Sequence, residues 1–258
     1  MRLRVIGCEV LARPIYLCAA RSPHVVDVTL LRLGLHEKPP ELRARLQGEI
    51  DRVGPEYNAT VLLYGLCGGA TAGLRAAQGP LVVPRAHDCI TVFLGSRERY
   101  RAEFTDHPGT YWYALDYLER QDPASSSTGL LGLGAATDAE LQTAYEQYVA
   151  LYGKDNADYL METLGAWREH YDRAAFVDMG VGNAAPIEER ARAEAQRRGW
   201  LFQRLAGQLT LVKRAIDGAW DEDFLVLQPG QRLVQAYDDG VITAAEGEPG
   251  EEGAKTQA

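Results

Sequence analysis

The chain has 258 residues, 46% of them hydrophobic and 24% charged, which suits one large domain or two smaller halves with a sizeable core. Its formal net charge is -9, and the body remains acidic without the Glu-rich stretch after Ala244, so a nucleic-acid surface is not expected. No run approaches the roughly 20 apolar residues of a membrane span, and Met1-Arg2-Leu3-Arg4-Val5-Ile6 enters a short strand and not a signal-peptide core, which predicts a cytoplasmic protein.

Strand-like and helix-like runs alternate, the pattern of an α/β fold with a mainly parallel sheet and flanking helices. Strands are predicted over Leu3 to Val10 and Val25 to Leu33. Pro39-Pro40 then opens a helix to Val53, with Leu42, Leu46, Ile50 and Val53 at helical spacing. A third strand over Thr60 to Tyr64 leads to a predicted helix near Ala70 to Ala77, and Leu81 to Val83 makes a fourth strand. The Ser- and Gly-rich stretch from Gln121 to Ala136 reads as a loop, followed by helical patterns over Asp138 to Tyr152 and Ala157 to Tyr171.

Alternation then resumes with a strand over Ala174 to Met179 and a helix over Pro186 to Arg198. That helix opens on Glu188-Glu189 and closes on Arg197-Arg198 and Gly199, matching its charges to the helix dipole. Trp200 to Leu205, Leu209 to Ile216 and Phe224 to Leu227 complete the pattern as strand, helix and strand. The expected organisation is an α/β half over 1–120, a linker and helical segment over 121–172, a second α/β half over 173–240 and an acidic disordered tail over 241–258. The halves form either two Rossmann-like lobes with a cleft between them or two parts of one sheet.

In open parallel sheets, ligands bind beyond the carboxyl ends of the strands. Three of the four cysteines fall at such ends: Cys8 late in the first strand, Cys67 after the third, and Cys89, with His87 and Asp88, after the fourth. If those strands are neighbours, Cys8, Cys67, His87 and Cys89 converge. Three thiols and an imidazole make a chemically sensible set for zinc or iron. The competing explanation is that each cysteine is a small buried side chain, and for Cys18 that explanation is preferred.

"GLCGG" can also be read as G-x-C-x-G, a turn that exposes a cysteine nucleophile with His87 as its base. Its glycines Gly68 and Gly69 leave room for a ligand or anion, while the absence of a following Gly-Lys-Ser/Thr excludes a P-loop. Arg85, Ser96, Arg97 and Arg99 stand near the site in sequence, with Gly95-Ser96 resembling a second turn for an anionic group. In "FVDMGVGN", Asp178 ends a strand as a candidate acid, base or substrate clamp.

Taken in order, "YGLCGG", "PRAHDCITVFLGSRERY", "GTYWYALDYLE", "FVDMG" and "WDEDFLVLQPGQRL" resemble the family called domain of unknown function 1638 over most of the chain, from Leu3 to about Val234. The resemblance implies that Cys67, His87, Asp88, Cys89, Gly95, Ser96 and Asp178 occupy family motif positions. It also implies a context of corrinoid-dependent methyl transfer in anaerobes. The pair His87-x-Cys89 with a distant cysteine is similar to the zinc motif of thiol-activating methyltransferases, although here Cys8 and Cys67 come first.

The reading that follows is a metal-dependent enzyme, with Cys8, Cys67, His87 and Cys89 as zinc or iron ligands. Gly68, Gly69 and Ser96 would border the cofactor, and Asp178, Arg85 and Asp88 would orient or protonate a small thiol or methylated substrate. A corrinoid protein is the expected partner. The rivals are a metal-free cysteine enzyme, racemase-like or hydrolase-like, and a non-catalytic carrier of a metal or corrinoid.

Overall fold

The computed structural model describes residues 1–120, 145–146, 149–150, 153–154 and 171–246. The chain divides into two compact units, one built from Met1–Tyr100 and Gly207–Ala258 and the other from Arg101–Ala206. This division differs from a simple order of halves, because the chain after residue 206 returns to the first unit. No helix among the described residues is long and apolar enough to cross a membrane.

The first unit carries a five-stranded sheet of strands β1 (Arg2–Cys8), β2 (Val25–Leu31), β3 (Ala59–Leu63), β4 (Leu81–Pro84) and β8 (Phe224–Leu227), in spatial order β2-β1-β3-β4-β8. The first four are parallel, and β8 closes the edge antiparallel to β4, with Leu81 opposite Leu227 and Pro84 opposite Phe224. Helix α1 (Ala12–Arg21) links β1 to β2, and α2 (Pro39–Asp51) links β2 to β3. Leu42, Leu46 and Ile50 of α2 recur at three- and four-residue spacing and pack on Ile6, Leu62 and Tyr64 of the sheet face. Every residue of β3 is buried, as expected of a central parallel strand covered on both faces.

The predicted helix at 70–77 does not form. Gly73 within it, and Gly68 and Gly69 just before it, have positive φ, a conformation incompatible with a right-handed helix. The segment instead zips onto a hairpin of β9 (Gln231–Gln235) and β10 (Ile242–Glu246), through Gly73 N–H to Leu233 O at 2.7 Å and Leu233 N–H to Leu74 O at 2.7 Å. Leu233, Val241 and Ile242 thereby cover sheet surface that a crossover helix would have covered. Residues 242–246 are thus strand and not tail, while 247–258 lie outside the described residues.

The second unit contains three parallel strands in chain order, β5 (Thr110–Ala114), β6 (Arg173–Asp178) and β7 (Leu201–Ala206), with α6 (Ala185–Arg198) connecting the last two. Ala191 and Ala195 of α6 pack against Tyr111, Tyr113, Ala174 and Phe176. Arg173 is 1% exposed and is held by Glu103 at 2.6 Å, Thr110 Oγ1 at 2.8 Å and Gln203 Oε1 at 2.7 Å. The predicted loop at 121–136 and most of the helical patterns at 138–171 lie outside the described residues.

Candidate functional site

The strand order fixes where a ligand belongs. From β1 the chain runs to β2 on one side, and from β2 it crosses to β3 on the other, so the connections part company between β1 and β3. Crevices at such a topological switch point, outside the carboxyl ends of the strands, are the binding sites of open α/β sheets. Cys8 is the last residue of β1, and Gly7 pairs with Leu63, so Tyr64 to Cys67 leave β3 directly beside it. Cys89 follows the next strand over, β4. The three cysteines therefore belong to three adjacent strand tips.

Two backbone hydrogen bonds draw the β3 and β4 tips together, from Leu66 N–H to Ala86 O at 2.8 Å and from Cys67 N–H to His87 O at 2.9 Å. Gly65 permits this approach, because a Cβ there would stand 2.5 Å from the Asp88 Cα. Cys67 itself is left-handed, with φ of 47°, followed by Gly68 at 65° and Gly69 at 84°. A non-glycine residue in that region stores strain of about 1 to 3 kcal/mol and persists where its neighbours over-determine it. The bond to His87 and that from Ala70 N–H to Cys67 O do so here.

Asp88 caps the short helix α3 (Cys89–Leu94), its Oδ1 accepting from Ile90 N–H at 2.9 Å and Thr91 N–H at 3.3 Å. Its Oδ2 accepts from the Tyr100 hydroxyl at 3.2 Å, and burial pushes the carboxyl pKa up despite these donors. The capped helix starts with Cys89, which fixes that thiol next to the 65–67 turn.

Cys8, Cys67 and Cys89 are all partly buried and reduced. Burial pushes Cys67 up to about 12, and the neighbouring Cys8 and Asp88 push the same way. Burial also drives Cys89 well above the ordinary thiol range, reinforced by Asp88, Cys67 and Cys8. Cys8 therefore opposes ionisation of Cys67, and both oppose that of Cys89. The buried Tyr64 hydroxyl makes no hydrogen bond of ordinary geometry, and it is held neutral by burial and by Cys8 beside it. Tyr64, Gly65 and Tyr100 were not marked by sequence; only the position of Gly65 directly after an apolar strand signalled a close approach.

The other expected site residues are placed as follows. His87 is exposed, and its ring stacks on Tyr100 with centroids 5.5 Å apart. Arg85 donates through Nη1 to the carbonyls of Gly240 and Ile242, tying β4 to the β9-β10 hairpin. Ser96 Oγ accepts from Arg99 N–H at 3.1 Å, which caps α4 (Arg97–Asp106), and Arg97 is bound to Asp223 and to Asp239 O. Ser96 and these arginines are thus engaged by protein partners and do not form an open anion turn. Asp178 belongs to the second unit, where Oδ1 accepts from Gly180 N–H at 2.9 Å and Oδ2 pairs with Arg204. Gly68 and Gly69 form the turn after Cys67, and Cys18 is buried in α1. Among the described residues, no three His, Cys, Asp or Glu side chains stand at metal-holding separations.

Fold and site together define an α/β protein with cysteines at or just beyond the tips of three adjacent parallel strands. The chain belongs to the family described as "Protein of unknown function (DUF1638)", whose model matches residues 30–216. No curated protein and no solved structure matches it.

Proposed function

We propose that the protein binds a thiophilic metal, zinc or iron, through Cys8, Cys67 and Cys89, and uses it to activate a small thiol or methylated substrate. The observation that carries this reading is the placement of three cysteines on the adjacent tips of β1, β3 and β4, at the switch point of the sheet. The donor set fits such a metal chemically. Thiols whose ionisation is opposed by their neighbours, and the partly buried Asp88 carboxylate, would all gain from a cation in their midst.

The side chains are not gathered into a finished cage, so loading requires the thiols to turn inward and lose their protons. His87, exposed and with its ring on Tyr100, lies at the edge of the site, and three sulfur ligands would leave a further position open to a substrate. A zinc held there would lower the pKa of a thiol or water bound to it. Asp88 and Tyr100, joined by their hydrogen bond, supply a proton-holding pair beside the sulfurs. A corrinoid protein as methyl donor or acceptor is part of this proposal, and so is a location in the reducing cytoplasm, where free thiols persist.

The metal-free rival needs Cys67 as a thiolate. Its raised pKa and the missing helix after the turn both work against that role. Elemental analysis of anaerobically purified wild type beside Cys67→Ser and Cys89→Ser tests the proposal. Metal in the wild type and its loss in both variants is the expected result; a folded, metal-free wild type that takes up no added zinc or iron contradicts it.

A further inference from the structure

Away from the thiols, α2 and the 73–76 segment border an open groove of about 640 Å³, lined by Arg43, Gln47, Asp51, Gly73 and Arg75 among others. That volume lies within the range of about 300 to 1,000 Å³ typical of small-molecule sites. Gln47 fixes the groove wall from both ends of its amide, accepting from Arg75 N–H at 2.9 Å and donating to Arg75 O at 3.2 Å. The Arg75 backbone is therefore held in place while its exposed guanidinium makes no hydrogen bond or ion pair with the described residues.

Arg43 is similarly underused. Its Nη2 donates to Gly69 O at 2.8 Å, its Nε is buried without a partner, and no carboxylate pairs with it among the described residues. A third arginine adds to the field, because Arg75 stands opposite Arg232 across an isolated antiparallel bridge. Like charges directly opposite one another are destabilising. The chain has 36 acidic residues against 27 basic ones, so these arginines do not lack partners for want of carboxylates in the chain. The one acid lining the groove, Asp51, is occupied through Oδ1 by Gln47 Nε2 at 2.7 Å.

We infer that this groove binds the phosphate group of a small molecule, held between the guanidinium groups of Arg43 and Arg75, with Arg232 adding positive potential. A phosphate offers the charge and the several acceptor oxygens that two forked donors require, and the paired hydrogen bonds are of the strong, charge-assisted kind. Arg43 also grips Gly69, two residues beyond Cys67, so one side chain touches both the groove and the thiol turn. The inference stands without the metal reading, since none of its residues is a thiol.

Calorimetric titration of the reduced full chain with inorganic phosphate and with pyrophosphate, against acetate at matched ionic strength, tests it. Wild type is expected to bind the phosphates saturably and more weakly as salt rises, with affinity falling about tenfold or more in Arg75→Gln. Arg21→Gln, on the exposed end of α1, is expected to bind as wild type does. Absence of saturable binding, equal affinity in Arg75→Gln and Arg21→Gln, or acetate binding as tight as phosphate overturns the inference.

Discussion

Gly65 and Asp88 pack backbone to backbone: a Cβ on Gly65 would sit 2.5 Å from the Asp88 Cα and 2.6 Å from its nitrogen. That contact brings the turn carrying Cys67 against the start of α3, where Cys89 is the first residue. Gly65→Ala must push the two apart, and inserting a methyl against fixed backbone typically costs about 1 to 3 kcal/mol. Thermal unfolding of Gly65→Ala is expected to show that loss, together with weaker metal uptake. Unchanged stability and unchanged uptake would show that the approach of the two tips is irrelevant to both.

Burial and neighbouring acidic groups push the Cys67 and Cys89 thiols above the ordinary thiol range. With Cys67 pushed up to about 12, alkylation of this residue near pH 7 is expected to be slow and to accelerate with pH throughout the range up to 10. Peptide mapping after timed iodoacetamide treatment checks this residue by residue. A rate for Cys67 that levels off below pH 8 would contradict the assignment.

The same shift predicts a stability trend. An unfolded thiol ionises near about 8.5, so above that pH the unfolded chain releases protons that the folded chain retains. The stability attached to the protonated Cys67 is fully present below about pH 8.5 and is lost as pH rises toward about 12. Urea midpoints measured with chelator between pH 7 and 10 are expected to fall more steeply for wild type than for Cys67→Ser.

Asp88 combines a helix cap with a partly buried carboxylate whose pKa is raised by burial. Asp88→Asn retains an acceptor for the Ile90 and Thr91 N–H groups, whereas Asp88→Ala removes it at a cost of about 0.5 to 2 kcal/mol. Both remove the negative charge. Metal affinity is expected to drop in both variants, with stability of the metal-free form dropping mainly in the alanine variant. Equal metal affinity in wild type and Asp88→Asn would remove the carboxylate from the site.

In the second unit, Arg173 is a buried cation with three polar partners, one of them Glu103 at 2.6 Å. Truncation to Arg173→Ala strands Glu103 and empties a buried volume, an effect of about 3 to 5 kcal/mol on breaking such a pair from one side. Chemical denaturation that shows less than about 1 kcal/mol of loss would place Arg173 among the weakly coupled surface pairs instead.

The parallel strands and the thiols at their tips were legible because apolar runs such as Thr60 to Leu63 end abruptly at glycine or proline, with cysteine just beyond. Adjacency of β1, β3 and β4 is not written in the apolar runs and comes from the sheet order. The segment at 70–77 misled because its alanines and leucine favour a helix, while the backbone geometry of Gly69 and Gly73 and the pairing with Leu233 are tertiary facts. Strand β5, Tyr111-Trp112-Tyr113, and the hairpin at 231–246 lacked the contrast of aliphatic runs bounded by turns. Arg85 and Ser96 stood close to the site in sequence but their hydrogen bonds lead elsewhere, to Gly240 and Arg99. The Arg43 and Arg75 groove is invisible in sequence because its walls are 32 residues apart and joined through Gln47.

The most direct test of the thiol site is a cobalt(II) titration of reduced, chelator-treated protein under anaerobic conditions, followed by the sulfur-to-metal charge-transfer absorbance. Wild type is expected to saturate at one equivalent with an intensity reporting three thiolates, and Cys8→Ser, Cys67→Ser and Cys89→Ser each to lose about a third of it or to fail to bind. A folded wild type that develops no charge-transfer band, or a band untouched by all three substitutions, would contradict a metal held at the tips of β1, β3 and β4.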